Sequence, residues 1–235
     1  MNPDRIDITM TATLRPKLVR KTLSSFCKNL FRDRERFRLI LNVDCVGLDV
    51  SPFEVADVCR EFFDVVIYEE ASPSFFNAMI RNWSRVSSTY FFNLEDDWKL
   101  KRKIDIDDML RILEEHPEYY MVRLGKMKLE KGFAKGDGFI SVPDYLFSAN
   151  PSLLRWSFAE DVLMKIKDGM AFETQLRHDD VNPNPPLMEF MKTKRYCILG
   201  EPGWSPVICD IGTKWRQKHG IGKTQGKIRQ FRWVK

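Results

Sequence analysis

The sequence predicts an α/β protein with a mostly parallel sheet flanked by helices, a smaller second subregion and a basic C-terminal tail. Three observations lead there. The first hundred residues alternate short apolar runs with longer segments of helical periodicity, in the order β-α-β-α-β-α-β. One of the runs, RLILNV, is nearly continuous in apolar residues and suits a strand buried on both faces of a parallel sheet. Finally, 235 residues with 43% hydrophobic and 12% aromatic side chains can build the core of one domain without a disulfide or a structural metal.

Ile6 to Thr13 (IDITMTAT) alternates apolar and polar and is rich in β-branched residues, as a strand does. Pro16 can open a helix, and PKLVRKTLSSFCKNLF then places Leu18, Thr22, Leu23, Phe26, Cys27 and Leu30 on one stripe. Arg38 to Val43 (RLILNV) reads as a second strand. Ser51, Pro52 and Glu54 are a helix-start signature for SPFEVADVCREFF, and Asp64 to Tyr68 (DVVIY) follows as a third strand. A helix over SFFNAMIRNWSRVSS leads to a fourth strand, Thr89 to Leu94 (TYFFNL), which runs straight into EDDW. The helix IDIDDMLRILEEH, stopped by Pro117, and the strand YYMVRL come next.

Beyond that the pattern weakens. Residues 125–150 are Gly- and Lys-rich, then hairpin-like; SLLRWSFAEDVLMKIKDG reads as a helix ended by Gly169; AFETQLRHDDV has helical character; VNPNPPLMEF opens on a Pro-rich loop; RYCILG reads as a strand. The natural division is a single domain, 1–235, with a first half over 1–100, a second over 101–212 and the tail over 213–235.

The net charge of +5 is unevenly placed. Lys214 to Lys235 holds eight basic residues and no acidic one, so the rest of the chain is acidic overall and the tail points to an anionic partner. Five cysteines without a CxxC pair read as reduced core thiols. The polar start MNPDRIDITM has no signal-peptide core and no run is long enough to span a bilayer, so a cytoplasmic protein is expected. TATLRP is not GxGxxG, and no GxxxxGK[ST] occurs, which argues against dinucleotide-binding and P-loop enzymes.

Glu95-Asp96-Asp97 carries the strongest chemical signal. In an open α/β sheet ligands bind beyond the carboxyl ends of strands. Three adjacent carboxylates there repel unless a cation or hydrogen-bond donors compensate, and hard oxygens favour Mg²⁺ or Mn²⁺ bridging to substrate phosphates. The plain alternative is an acidic helix start.

The order TMTATLRP, helix, LILNVDCVG, then SFFNAMIRNWSRVSSTYFFNLEDDW resembles the nucleotide-sugar half of GT-A-fold glycosyltransferases of the family-2-like group, over roughly residues 6–100. EDDW stands where that fold has its DxD-type motif, with Glu95 in place of the first Asp. The resemblance implies sugar transfer from a nucleoside diphosphate donor, a UDP-sugar favoured, to a hydroxyl, with Mn²⁺ or Mg²⁺ on the diphosphate. It places Thr11, Thr13 and Arg15 around the base and a diphosphate oxygen, and Asp44 at the base. Asn77 and Arg81 share a helix face beside the donor. Asp97 is the preferred metal ligand, Asp96 and Glu95 stand beside it, and a late His219 or, in competition, Asp210 completes the set. A general base is sought in the second half, with Glu173 first and Asp161 second, ahead of Glu160, Asp179 and Asp180. The basic tail, interleaved with Trp215, Phe231 and Trp233, suits either a lid over the donor or a nucleic-acid acceptor such as a hydroxymethylated base of phage-type DNA. Other readings are transfer to a cytoplasmic-face glycan or lipid-linked acceptor, a metal-dependent nucleotidyltransferase, and a non-catalytic nucleic-acid-binding protein.

Overall fold

The computed structural model describes residues 5–64, 66–128, 138–142, 147–177, 182–220, 222–225 and 231–234. Strand β1 (Ile6–Leu14) leads into helix α1 (Pro16–Asn29), and β2 (Phe37–Gly47) into α2 (Pro52–Arg60). Strand β3 (Val66–Ala71), α3 (Phe75–Trp83) and β4 (Tyr90–Glu95) complete the alternating half. The turn after β4 carries the chain into a three-residue strand, β5 (Trp98–Leu100), before α4 (Ile106–Glu115) and β6 (Tyr119–Leu124). Then follow β7 (Phe139–Val142), β8 (Ser152–Arg155), α5 (Trp156–Lys165), α6 (Phe172–Gln175), α7 (Pro185–Lys192) and β9 (Arg195–Leu199). Strand β10 (Ile208–Asp210), α8 (Gly212–Lys218) and the hairpin of β11 (Gly222–Gln225) with β12 (Phe231–Val234) end the description.

Eight strands form one sheet in the order β3-β2-β1-β4-β8-β6-β9-β7. The first four are mutually parallel, β8 runs antiparallel to both neighbours, and β7 is antiparallel to β9. Two small ribbons, β5 with β10 and β11 with β12, stand apart from it.

Local sequence explains most starts. Pro16 sits in the first turn of α1. Ser51 accepts from Phe53 N while Glu54 reaches back to Ser51 N, a closed capping box. Ser74 caps α3 by accepting from Asn77 N. Ser152–Arg155 departs from the periodicity, which runs it into the following helix, and agrees with the strand that SANPSLLR implies by resemblance to the acceptor side of related transferases. Leu153 and Leu154 are fully buried between β4 and β6, and pairing on both sides makes the segment a strand. Phe139–Val142 likewise pairs with β9 rather than closing a local hairpin.

The sheet divides the core in two. Apolar faces of α1, α2 and α4 cover one side, with Leu23, Phe26, Val55, Cys59, Met109 and Ile112 buried there. The other is covered by α3 and α5–α7 and centres on Trp83, whose indole meets Phe91 and Phe172 edge-on at 5.6 and 5.1 Å. Burial holds the Cys27 and Cys59 thiols up at about 12, so both stay protonated and inert; the expectation of five core thiols fails at Cys45, which is exposed, and at Cys209, which is half-buried.

Candidate active site

Strands β1, β2 and β4 end side by side at one edge of the sheet: Thr11 pairs with Glu95, and Thr13 with Asp44. The three acidic residues leave β4 at this edge, yet they do three different things.

Asp96 turns inward. Its carboxylate accepts from Thr13 N at 3.0 Å, Thr13 Oγ1 at 3.3 Å and Arg15 Nε at 3.1 Å, and Arg15 Nη2 binds its other oxygen. The main chain is tied too: Asp96 N donates to Thr11 O at 3.1 Å, and Thr22 Oγ1 donates to Asp96 O at 2.7 Å. Arg15 and Asp96 are both buried. Burial opposes the charge on Arg15, but Asp96 and Asp97 outweigh it and raise the guanidinium above its ordinary value. Thr11, Thr13, Arg15 and Asp96 are therefore brought together as a clamp across the ends of β1 and β4. Thr22, on the inward stripe of α1, is a member that the sequence signalled only as a core position.

Glu95 is half-buried and accepts from Trp98 Nε1 at 3.1 Å. Asp97 faces the C-terminal segment. Its Oδ2 lies 3.5 Å from Arg15 Nη2 and 3.4 Å from Arg216 Nη1, and its main-chain oxygen accepts from Ile211 N at 2.8 Å. Helix α8 comes so close that a Cβ on Gly212 would collide with the Asp97 carboxylate. Trp215 lies under the Arg15 guanidinium at 5.3 Å. The basic tail thus reaches the acidic trio through Arg216.

Beside the clamp, Asp44 accepts from Asn42 Nδ2 at 2.8 Å and Ser74 N at 3.2 Å, while Arg81 Nη2 lies 3.9 Å away. Arg81 Nε donates to Asn42 Oδ1 at 2.8 Å. Burial holds Asp44 above the usual carboxylate range, against the pull of those donors. Asn42, which the sequence reading passed over as one residue of an apolar strand, links the two. Asn77 is exposed on α3, where its N–H serves the Ser74 cap.

Glu173 is half-buried on α6 and accepts from Ala149 N at 2.8 Å; Ala149 O in turn accepts from Asn93 Nδ2 at 2.9 Å. Asn93 is two positions before Glu95, so these bonds tie Glu173 to the strand that carries the acidic trio. Asp161 stands elsewhere. Helix α5 starts where Arg155 pairs with Tyr90, at the opposite edge, and Asp161 pairs with Lys165 at 3.1 Å beside a groove of about 190 Å³ that includes Tyr119 and Thr193. Glu160 is exposed on that helix, and Asp179 and Asp180 lie outside the described residues.

Asp210 caps α8, accepting from Gly212 N at 2.6 Å, Thr213 N at 3.0 Å and Thr213 Oγ1 at 2.8 Å. Those bonds and Arg216 outweigh burial and hold it below the usual carboxylate range. His219 is exposed, its ring stacked on Trp215 at 4.2 Å and its Nδ1 2.8 Å from Trp215 O. Among the described residues no three His, Cys, Asp or Glu side chains converge as a metal cage. The arrangement offers instead one carboxylate, Asp97, at a strand exit. Mg²⁺ fits such a site by taking one or two carboxylates and drawing its other ligands from phosphates and water, and carboxylate and water oxygens suit Mn²⁺ equally.

No protein-family model and no curated protein sequence matches this chain. Solved structures do. Crystal structures of S. aureus TarS align over 85% of the chain at 12% identity with a TM-score of 0.54, and TarS 1-349 with UDP-GlcNAc over 85% at 13% identity with a TM-score of 0.52. Mannosyltransferase PcManGT from Pyrobaculum calidifontis, in complex with GDP-Man and Mn2+, aligns over 84% at 11% identity with a TM-score of 0.55. The chain spans 36% of the full TarS chain and 57% of each of the other two. At such identities the likeness is one of architecture: this chain has the GT-A fold of glycosyltransferases.

Proposed function

We propose that the chain is a glycosyltransferase that moves a sugar from a nucleoside diphosphate donor, a UDP-sugar favoured, to a hydroxyl of an acceptor. The observation that carries this reading is the division of labour in the acidic trio: Asp96 is consumed by the Arg15 clamp, which leaves Asp97 at the strand exit between two guanidinium groups. A diphosphate fits that electrostatic setting. That TarS has been solved with UDP-GlcNAc, and PcManGT with GDP-Man and Mn2+, supports the donor class.

In this reading the Asp44–Asn42–Arg81 group reads the base, with Thr11 and Thr13 lining its approach. Arg216 stabilises the negative charge that develops on the leaving diphosphate, while Arg15, buried against Asp96, holds the strand exit in place. Asp97 would hold Mn²⁺ or Mg²⁺, which adds Lewis-acid neutralisation when bound. Glu173 accepts the proton of the acceptor hydroxyl as it attacks the anomeric carbon. The acceptor is a nucleic acid, such as a hydroxymethylated DNA base, and the setting is the cytoplasm; no described helix is long and apolar enough to cross a membrane.

A donor-hydrolysis screen over UDP-, GDP-, CDP- and TDP-sugars, with and without Mn²⁺, tests the proposal. Metal-stimulated release of UDP, lost in Asp97→Asn, is expected. Absence of both hydrolysis and thermal stabilisation by any nucleotide sugar would overturn it.

A further inference from the structure

The acidic trio opens onto a surface of opposite sign. Four segments meet around β10. Strand β5 pairs with it; Lys101 N donates to Val207 O at 2.8 Å; Gly125 O accepts from Val207 N at 2.9 Å; and Ile211 N, leading into α8, reaches Asp97 O. Residues 98–104, 125–128 and 201–220 build this surface with nine basic side chains, four from 99–103, two from 126–128 and three from α8, against the acidic Glu201 and Asp210. Eight of the nine are exposed, Arg216 being the exception, and none of the eight has an ion-pair partner among the described residues.

Clustered cations repel one another, and such a field attracts a polyanion. The surface also carries an aromatic: the exposed Arg102 stacks at 3.8 Å on the half-buried Trp204, a pair that can meet both a phosphate and a base. A lipid surface fits less well, because a membrane-binding face needs a cluster of apolar side chains, and Met127 is the one large exposed hydrophobic among the described residues here. We propose that this face, the β5–β10 ribbon with the Lys126–Lys128 loop and α8, is the docking surface for the phosphodiester backbone of a nucleic-acid acceptor. The proposal rests on the transferase reading and adds where the acceptor lies; most of the cations come from the body of the fold rather than from the tail.

Fluorescence anisotropy on the full chain, with no donor present, tests it. The probes are labelled single-stranded and duplex DNA of about 16 nucleotides, with inorganic polyphosphate and phosphatidylserine vesicles as competitors. The triple variant K101E/R102E/K103E should bind DNA at least about tenfold more weakly, with the salt slope reduced by about 2–3, while K192E on α7 binds as wild type does. Donor hydrolysis should be unchanged in the triple variant, because none of the three touches the site. Failure to bind either DNA at low salt, equal binding by the triple variant, or competition by vesicles or polyphosphate as strong as by unlabelled DNA would each overturn the assignment. DNA binding without hydrolysis of any donor would instead sink the transferase reading and leave the surface standing.

Discussion

Replacing Asp96 by Asn should damage the fold more than the chemistry, and its neighbour Asp97 should do the reverse. The Arg15 and Asp96 side chains are 2% and 4% exposed. The carboxylate takes two bonds from Thr13 and two from Arg15. An amide keeps one acceptor oxygen, turns an NH₂ towards groups that themselves donate, and leaves the guanidinium with less compensation. Breaking one side of a buried pair costs about 3–5 kcal/mol. In a chain of this size each kcal/mol lowers Tm by about 2–4 °C, so D96N should melt roughly 6–20 °C below wild type. D97N leaves the Arg15–Asp96 pair intact and should lose much less. Circular-dichroism melts of D96N, R15Q and the double variant R15Q/D96N provide the assay. The double variant should lose less than the sum of the singles, since the charges go together. A D96N melt within about 2 °C of wild type, or strictly additive losses, would refute the clamp.

A methyl group at Gly212 has no room against Asp97, so Gly212→Ala should push α8 away, cost about 1–3 kcal/mol in a thermal melt and depress donor hydrolysis. Glu173→Gln keeps an acceptor for Ala149 N, so its stability should stay within about 0.5 kcal/mol of wild type, while sugar transfer falls about 10²–10⁴-fold and acceptor-independent hydrolysis persists. Asp44 has a folded pKa above its unfolded value. Its contribution to stability is therefore greatest at low pH and is lost as pH rises through the folded value. The melting temperature of Asp44→Asn relative to wild type should accordingly climb from about pH 4 upward, with weaker binding of UDP-sugars by calorimetry at neutral pH.

The alternating half was legible because its elements carry their own signals: Pro16, the Ser51–Glu54 box and the Ser74 cap are local, and strands buried on both faces read as continuous apolar runs. Ser152–Arg155 was not legible from its periodicity, since what makes it a strand is the slot between β4 and β6, which no local pattern announces. Strand β5 is three residues long and owes its existence to β10, more than a hundred positions later. At the site, the acidic motif could be found by eye but its roles could not be divided. Asp96 is claimed by an arginine 81 positions earlier and Asp97 by one 119 positions later.

That last separation bears on how the molecule matures. On the ribosome the acidic trio is made well before Arg216 emerges, so Asp97 first meets Arg15 alone and gains its second guanidinium late. Completion of the strand exit around Asp97 is therefore a late event of synthesis.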